Sequence, residues 1–242
     1  MLPKPPPGVV PFIAGRSEEE SYIGPLTLLP GRTGLAYTDE TPYDRDSFGA
    51  LWVRAPLRPK ARRGKPRLER VHAFRQRRCM LDMRCQVCRQ SPPAPDGPHL
   101  FLMRDVGRPV EEGERTTSPP VCVPCAVIAV QVCPPLRDDG YVAAWVGQAP
   151  AWGIAGTPYT PGTVTKIPGR DLVQVEYGTR RLPWVVAART VVALHTVAPA
   201  DLHEEAARMG PVALEREFAR IAAVVAGTTP ARKRVAAPCR SS

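Results

Sequence analysis

Four cysteines in two matched pairs carry the clearest chemistry in this sequence. Cys85 and Cys88 form one C-x2-C pair, and Cys122 and Cys125 form a second, with 33 residues between the pairs. This spacing lets both sulfurs of a pair face one ion, and two pairs supply the four thiolates of a tetrahedral Zn²⁺ site. Four thiolates leave no open position for a substrate, so the pattern predicts a structural zinc. An iron–sulfur cluster also uses four thiolates, and the spacing leaves that alternative open.

Three further cysteines lie outside the two pairs. Cys79 and Cys133 flank them closely enough to replace a ligand. Free cysteine is commonly buried, however, so we interpret both as packed thiols. Cys239 belongs to the C-terminal tail, where we expect it to be exposed.

The elements around the cysteine pairs resemble the treble-clef zinc fold over residues 84–134. The first pair is followed by a strand-like run at His99–Arg104, a returning strand within Val106–Thr117, and a second pair that opens a short helix. The segment is also similar to the central part of uncharacterised actinobacterial proteins that share CQVC and PPVCxPCA signatures. That second resemblance carries no function with it.

Treble-clef proteins include HNH nucleases, and this resemblance implies a specific set of catalytic residues. The family places a general-base histidine on the first hairpin strand, usually after an aspartate, and metal-binding Asn and His residues further on. His99 lies eleven residues past Cys88 but follows Pro98, and apolar residues from Ala126 onward occupy the later ligand positions. We therefore expect no catalytic residue, and a degenerate HNH-like nuclease is the weaker alternative.

The net charge of +10 is concentrated in one stretch. From Arg54 to Arg78 the chain holds eleven basic residues and a single acid, Glu69, so the remainder is neutral. A local excess of this kind points to a polyanion such as DNA or RNA. The alternatives are pairing with the acidic segments 39–46 and 111–114 of the same chain, or an acidic protein partner. The candidate nucleic-acid-binding residues are Arg58, Lys60, Arg62, Arg63, Lys65, Arg67, Arg70, Arg75, Arg77 and Arg78.

The basic stretch divides into a loop and a predicted helix. Prolines and a glycine within Ala55–Pro66 favour a loop, whereas Leu68–Met83 lacks both and has Leu68, Val71, Phe74 and Leu81 near helical spacing. This pattern predicts a basic amphipathic helix that leads into the first cysteine pair.

The C-terminal half changes from strands to helices. Five β-like runs predict a small, strongly curved sheet or SH3-like barrel, and they are Tyr141–Val146, Gly153–Gly156, Thr163–Ile167, Leu172–Tyr177 and Val185–Val197. Asp201 and Glu204 have capping-box spacing for a helix, and Leu214, Phe218, Ile221 and Val225 form one apolar stripe on the next.

These patterns together predict an α+β protein with a treble-clef-like zinc module, a small β-barrel-like domain and C-terminal helices. The proline-rich N-terminus does not resemble a signal peptide, and no apolar run reaches membrane-spanning length. We expect a cytoplasmic, non-catalytic zinc-binding protein that acts as a nucleic-acid-associated accessory or regulatory factor, with a protein–protein adaptor using the β-rich domain as the alternative. The predicted segments are 1–53 (strand-rich), 54–83 (basic loop and helix), 84–140 (four-cysteine zinc module), 141–200 (small β-rich domain), 201–227 (C-terminal helices) and 228–242 (disordered tail).

Overall fold

The strands of this protein pair mainly with partners that are distant in sequence. The computed structural model describes residues 2–91 and 97–226, and within them twelve strands form four sheets beside five α-helices. The fold is mixed α+β, as the sequence predicts. The predicted tail at 228–242, including Cys239, lies outside the described residues, and the division into segments stays a prediction.

The strands and helices have the following bounds. The strands are β1 (Ala14–Arg16), β2 (Leu26–Leu28), β3 (Leu35–Tyr37), β4 (Leu51–Trp52), β5 (Pro66–Val71), β6 (His99–Arg104), β7 (Arg115–Thr116), β8 (Tyr141–Gln148), β9 (Ala151–Pro158), β10 (Val173–Glu176), β11 (Val185–Ala193) and β12 (His195–Pro199). The helices are α1 (Ala73–Leu81), α2 (Val123–Val132), α3 (Pro134–Asp138), α4 (Leu202–Met209) and α5 (Pro211–Ala226).

A five-stranded sheet forms the centre of the C-terminal half. Its order is β10-β9-β11-β4, and β7 pairs with the far end of β11. Strand β9 lies between two neighbours at very close range, and a Cβ atom at Gly153 or Gly156 would stand 2.1 Å from a neighbouring carbonyl oxygen. Glycine is therefore required at both positions.

A three-stranded sheet, ordered β12-β8-β6, corrects the predicted hairpin between the cysteine pairs. Strand β6 pairs with β8, with His99 opposite Val146, rather than with the 106–117 segment. That segment contributes only β7, which pairs with β11. The hairpin prediction was wrong because β6 finds its partner about 40 residues further along the chain.

The predicted barrel is also corrected. No sheet among the described residues closes on itself, and strands β8 to β12 are divided between two sheets. The predicted single strand Val185–Val197 is two strands, since the chain leaves one sheet at Ala193 and enters the other at His195. Thr196 has a left-handed backbone conformation, with φ of 58°. Predicted strand 163–167 contains only an isolated bridge at Lys166.

The first four residues of the predicted basic helix, 68–71, belong to a strand. Residues Pro66–Val71 form β5, which pairs with β1, and α1 begins only at Ala73. The predicted apolar stripe does not face the core either, because Leu68, Phe74 and Leu81 are all exposed. Helix α1 instead buries Arg75, Gln76, Cys79 and Met80. Polar partners supplied by distant segments make this reversed orientation stable.

The C-terminal helices match their sequence patterns. The Asp201 carboxylate accepts the backbone N–H groups of His203 and Glu204 and so caps α4. Helix α5 buries Leu214, Phe218 and Ile221 in the same apolar cluster as α2 and the cysteines. No helix within the described residues is long and apolar enough to cross a membrane.

Candidate metal centre and basic surface

The four paired cysteines converge on one point. The sulfur atoms of Cys85, Cys88, Cys122 and Cys125 all lie within 4.8 Å of one another, and those of Cys88 and Cys122 are 3.8 Å apart. A regular tetrahedron with Zn–S bonds of about 2.3 Å places its sulfur atoms about 3.8 Å apart. The four cysteines therefore form a cluster that can hold a metal ion.

Backbone hydrogen bonds shape the turn that carries Cys85 and Cys88 and hold it against the second cysteine pair. The Cys85 carbonyl accepts the Arg89 N–H at 2.8 Å, and Arg89 has a left-handed φ of 55° that closes the turn. Gln86 donates its backbone N–H to Pro120 at 2.9 Å and its side-chain amide to Pro119 at 2.8 Å. Gln86, which lies between Cys85 and Cys88, is thus hydrogen-bonded to the two prolines that precede the second cysteine pair.

The second pair sits at the start of a helix. Cys122 is the N-cap of α2, and Cys125 lies in its first turn. The N-terminus of a helix carries a partial positive charge, which favours thiolate over thiol. The prediction that the second pair opens a short helix is confirmed.

The cluster is buried, and its thiols hydrogen-bond to one another. Cys85, Cys88 and Cys125 are buried, and Cys122 is partly exposed. Hydrogen bonds from the Cys122 and Cys125 thiols lower the pKa of Cys88, while hydrogen bonds with Cys122 and Cys85 raise the pKa of Cys125. The hydrogen-bonded thiols thus stabilise negative charge on the Cys88 sulfur, and a thiolate is the state that binds a metal cation.

An arginine from α5 reaches this cluster from the far end of the sequence. Arg220 lines the same cavity as Cys85 and Cys122, and its Nε donates to Glu217 at 2.8 Å. Burial acts to lower the pKa of Arg220, but the Glu217 carboxylate and the nearby Cys88 sulfur outweigh that effect and raise it. Its buried Nη1 has no hydrogen-bond partner within the described chain. Arg220 thus brings positive charge to the cysteine cluster.

Cys79 and Cys133 are not part of the cluster. Cys79 is fully buried, its sulfur lies 3.9 Å from the Cys85 carbonyl oxygen, and burial raises its pKa to about 12. Cys133 lies at the C-terminal end of α2. In residues 2–91 and 97–226, the four paired cysteines are the only group of His, Cys, Asp or Glu ligands that could hold an ion.

His99, the candidate base of the nuclease alternative, is a buried strand residue. It begins β6, is 8% exposed, and burial lowers the pKa of its imidazole. It lines the cavity beside Cys85 but does not join the metal-ligand group.

Apart from Arg77, the basic residues of 54–78 fall into two groups. The first group is paired internally: Arg54 with Asp39 and Asp44, Arg63 and Arg75 with Glu19, Arg70 with Glu20, and Arg78 with Asp82. The second group is exposed, and its charged nitrogens have no carboxylate within 4 Å among the described residues. We call this second group the basic surface, and its members are Arg58, Lys60, Arg62, Lys65 and Arg67.

Arg75, from the first group, and Arg77, which belongs to neither group, are held against the body of the protein. Arg75 is 3% exposed and its charge is neutralised by Glu19, so it is not available at the surface. Arg77 lies over the Trp52 ring, with its guanidinium carbon 4.5 Å from the ring centre. Whether any of the candidates contacts nucleic acid stays a prediction.

Sequence reasoning missed the partners that organise these residues. Glu19 is one of three consecutive glutamates, and nothing in that run distinguishes the buried one. Arg220 and Glu217 are spaced i,i+3 beside the apolar stripe of α5, which was the one available signal.

Comparison with protein-family models, with curated proteins and with solved structures finds no match to this chain. The treble-clef and actinobacterial resemblances are therefore not confirmed.

Proposed function

We propose that this chain is a non-catalytic zinc protein that docks on nucleic acid through its basic surface. The zinc has a structural role, because four cysteine ligands complete a tetrahedral site and leave no position for substrate or water. The supporting observation is the convergence of the four sulfur atoms within 4.8 Å of one another.

A single ion fits this geometry better than an iron–sulfur cluster. In a cluster the four thiolates are distributed over at least two iron atoms, so some pairs of them stand further apart than thiolates on a single ion. All four sulfurs lie within 4.8 Å of one another, which matches one shared ion. Metal analysis of the purified protein tests this directly: one zinc per chain is expected, and loss of both zinc and folding in a Cys85→Ser/Cys122→Ser variant. Stoichiometric iron, or a stably folded metal-free variant, would contradict a structural zinc.

The basic surface supports the nucleic-acid part of the proposal. Five of the nine arginines of the 54–78 stretch are paired with carboxylates of the same chain. Five cations in 58–67 remain exposed without a carboxylate partner in the described chain. Cations arranged in this way along one loop and the start of β5 suit a run of phosphates. Guanidinium groups in particular can donate two parallel hydrogen bonds to phosphate oxygens.

The salt dependence of binding gives a quantitative test. Five phosphate contacts predict that log Kobs falls with log[salt] with a slope of about −4.5 on duplex DNA, which is about a 500-fold loss between 50 and 200 mM salt. Fluorescence anisotropy with labelled oligonucleotides measures this slope. Binding that is absent at low salt, or insensitive to salt, would refute the proposal.

Charge-matched variants show whether the basic surface is responsible. The triple variant Arg62→Gln/Lys65→Gln/Arg67→Gln should flatten the slope by about 2.7. The control triple Arg170→Gln/Arg180→Gln/Arg181→Gln removes the same charge from exposed positions in the β-rich part. Equal effects of the two triples would mean that binding follows net charge and not this surface.

A further inference from the structure

A groove beside the basic surface is lined by large apolar side chains that are exposed. It lies between α1 and the segments around Tyr22 and residues 42–56, and its volume is about 600 Å³. The exposed fractions are 92% for Tyr43, 60% for Leu81, 53% for Tyr22 and 44% for Phe74. Exposed apolar side chains gathered in one concave surface commonly mark a binding site. This aromatic groove contains the same Phe74 and Leu81 that the sequence pattern placed on the apolar face of a helix.

The aromatic groove carries a net positive charge. The Asp44 carboxylate is held by Arg54 at 2.9 Å, and Asp82 is paired with Arg84 at 3.0 Å and with Arg78 at 3.7 Å. Arg77 has no carboxylate partner in the described chain and lies against the Trp52 ring. The groove therefore combines exposed rings with a cation whose charge is not neutralised. Arg45, at the rim, is paired with Glu40.

The aromatic groove and the basic surface are neighbours in space. Tyr22 and Arg54 exchange two backbone hydrogen bonds of 2.9 Å each, which places Tyr22 beside the start of the basic stretch. Three residues earlier, the Glu19 carboxylate accepts the backbone N–H of Arg58 at 2.8 Å. Three residues of extended chain span at most about 11 Å. One strand of a few nucleotides can reach both surfaces.

We propose that the aromatic groove stacks unpaired bases of a single-stranded nucleic acid whose phosphates lie on the basic surface. The inference rests on the proposed function and specifies its substrate class. Exposed aromatic rings can stack on bases only where the bases are unpaired, since a duplex hides their faces. Tyr22, Tyr43 and Phe74 provide the ring faces, and Arg77 adds a planar cation beside them.

Three probes of equal length separate base stacking from phosphate binding: an oligothymidine, an abasic strand with the same backbone, and a duplex. The wild-type protein should bind oligothymidine more tightly than the abasic strand. The variant Tyr43→Ala/Phe74→Ala should weaken oligothymidine binding about 30-fold or more and leave abasic binding unchanged. Thermal unfolding of each variant checks that the fold is retained, as expected for side chains this exposed.

The variant Tyr43→Leu/Phe74→Leu is the matched control, because it keeps apolar surface but removes the rings. It should lose oligothymidine binding as the alanine variant does. If the leucine variant binds like the wild type, the groove recognises apolar groups, as a protein partner would offer, and stacking is refuted. If intact and abasic strands bind equally with the salt slope preserved, the stacking inference fails while the proposed function stands. If no probe binds at low salt, both fail.

Discussion

Glu19 is the buried anion that fastens the basic stretch to the body of the protein. It is 1% exposed, forms an ion pair with the buried Arg75, and lies 3.5 Å from the Nε of Arg63. Its carboxylate also accepts the backbone N–H of Arg58 at 2.8 Å. Substituting Glu19→Ala would leave the Arg75 guanidinium buried without a counter-charge and release the loop that carries the basic surface.

The expected cost follows from these contacts. Removing one partner of a buried ion pair costs about 3–5 kcal/mol, because the other charge remains desolvated and unpaired. The lost hydrogen bond to the Arg58 backbone adds about 1 kcal/mol. We therefore expect Glu19→Ala to lower the free energy of unfolding by about 4 kcal/mol or more. The neighbouring Glu20 is 49% exposed in its pair with Arg70, so Glu20→Ala should cost at most about 1 kcal/mol.

Urea denaturation followed by far-UV circular dichroism measures both variants under identical zinc-loaded conditions. A double variant, Glu19→Leu/Arg75→Met, should recover most of the lost stability, since it removes both charges and keeps the volume filled. Equal costs for Glu19→Ala and Glu20→Ala would refute the reasoning that burial makes Glu19 the anchor.

Three further predictions concern buried or paired groups. Gln76 makes three hydrogen bonds to backbone groups of β11 and Thr117. Gln76→Leu should therefore lower the free energy of unfolding, measured by urea denaturation, by about 3 kcal/mol. A cost below about 1 kcal/mol would contradict this role of Gln76. Arg220→Met should weaken zinc binding about 10- to 100-fold in chelator competition, because it removes a cation beside the thiolates. The control Arg216→Met, on the exposed side of α5, should leave zinc affinity unchanged. Equal zinc affinities of the two variants would count against the role of Arg220. The hydrogen bond from Arg54 lowers the pKa of Asp44 from 3.8 to about 2. The excess stability of the wild type over Asp44→Asn should therefore be complete above about pH 4 and be lost as the pH falls through about 2. A constant stability difference across this range would contradict the lowered pKa.

The features that the sequence determined by itself are those encoded in short stretches. The two-residue spacing of each cysteine pair is a ligand geometry in its own right, and all four sulfurs converge as predicted. The Asp201 cap and the apolar stripe of α5 depend on residues three or four positions apart, and both are present. Such patterns are predictable because the interacting groups are separated by one or two turns of chain.

Tertiary structure alone decided which strands pair and which charges are neutralised. Residues 66–71 are a strand because β1, some 50 residues earlier, offers a pairing edge, and β6 pairs across the fold with β8. Arg75 is buried because Glu19, 56 residues away, supplies a counter-charge, which turns Phe74 and Leu81 outward. A periodicity rule assumes that apolar side chains are buried and charged ones exposed. It fails in α1, where a buried carboxylate makes it favourable to bury an arginine instead.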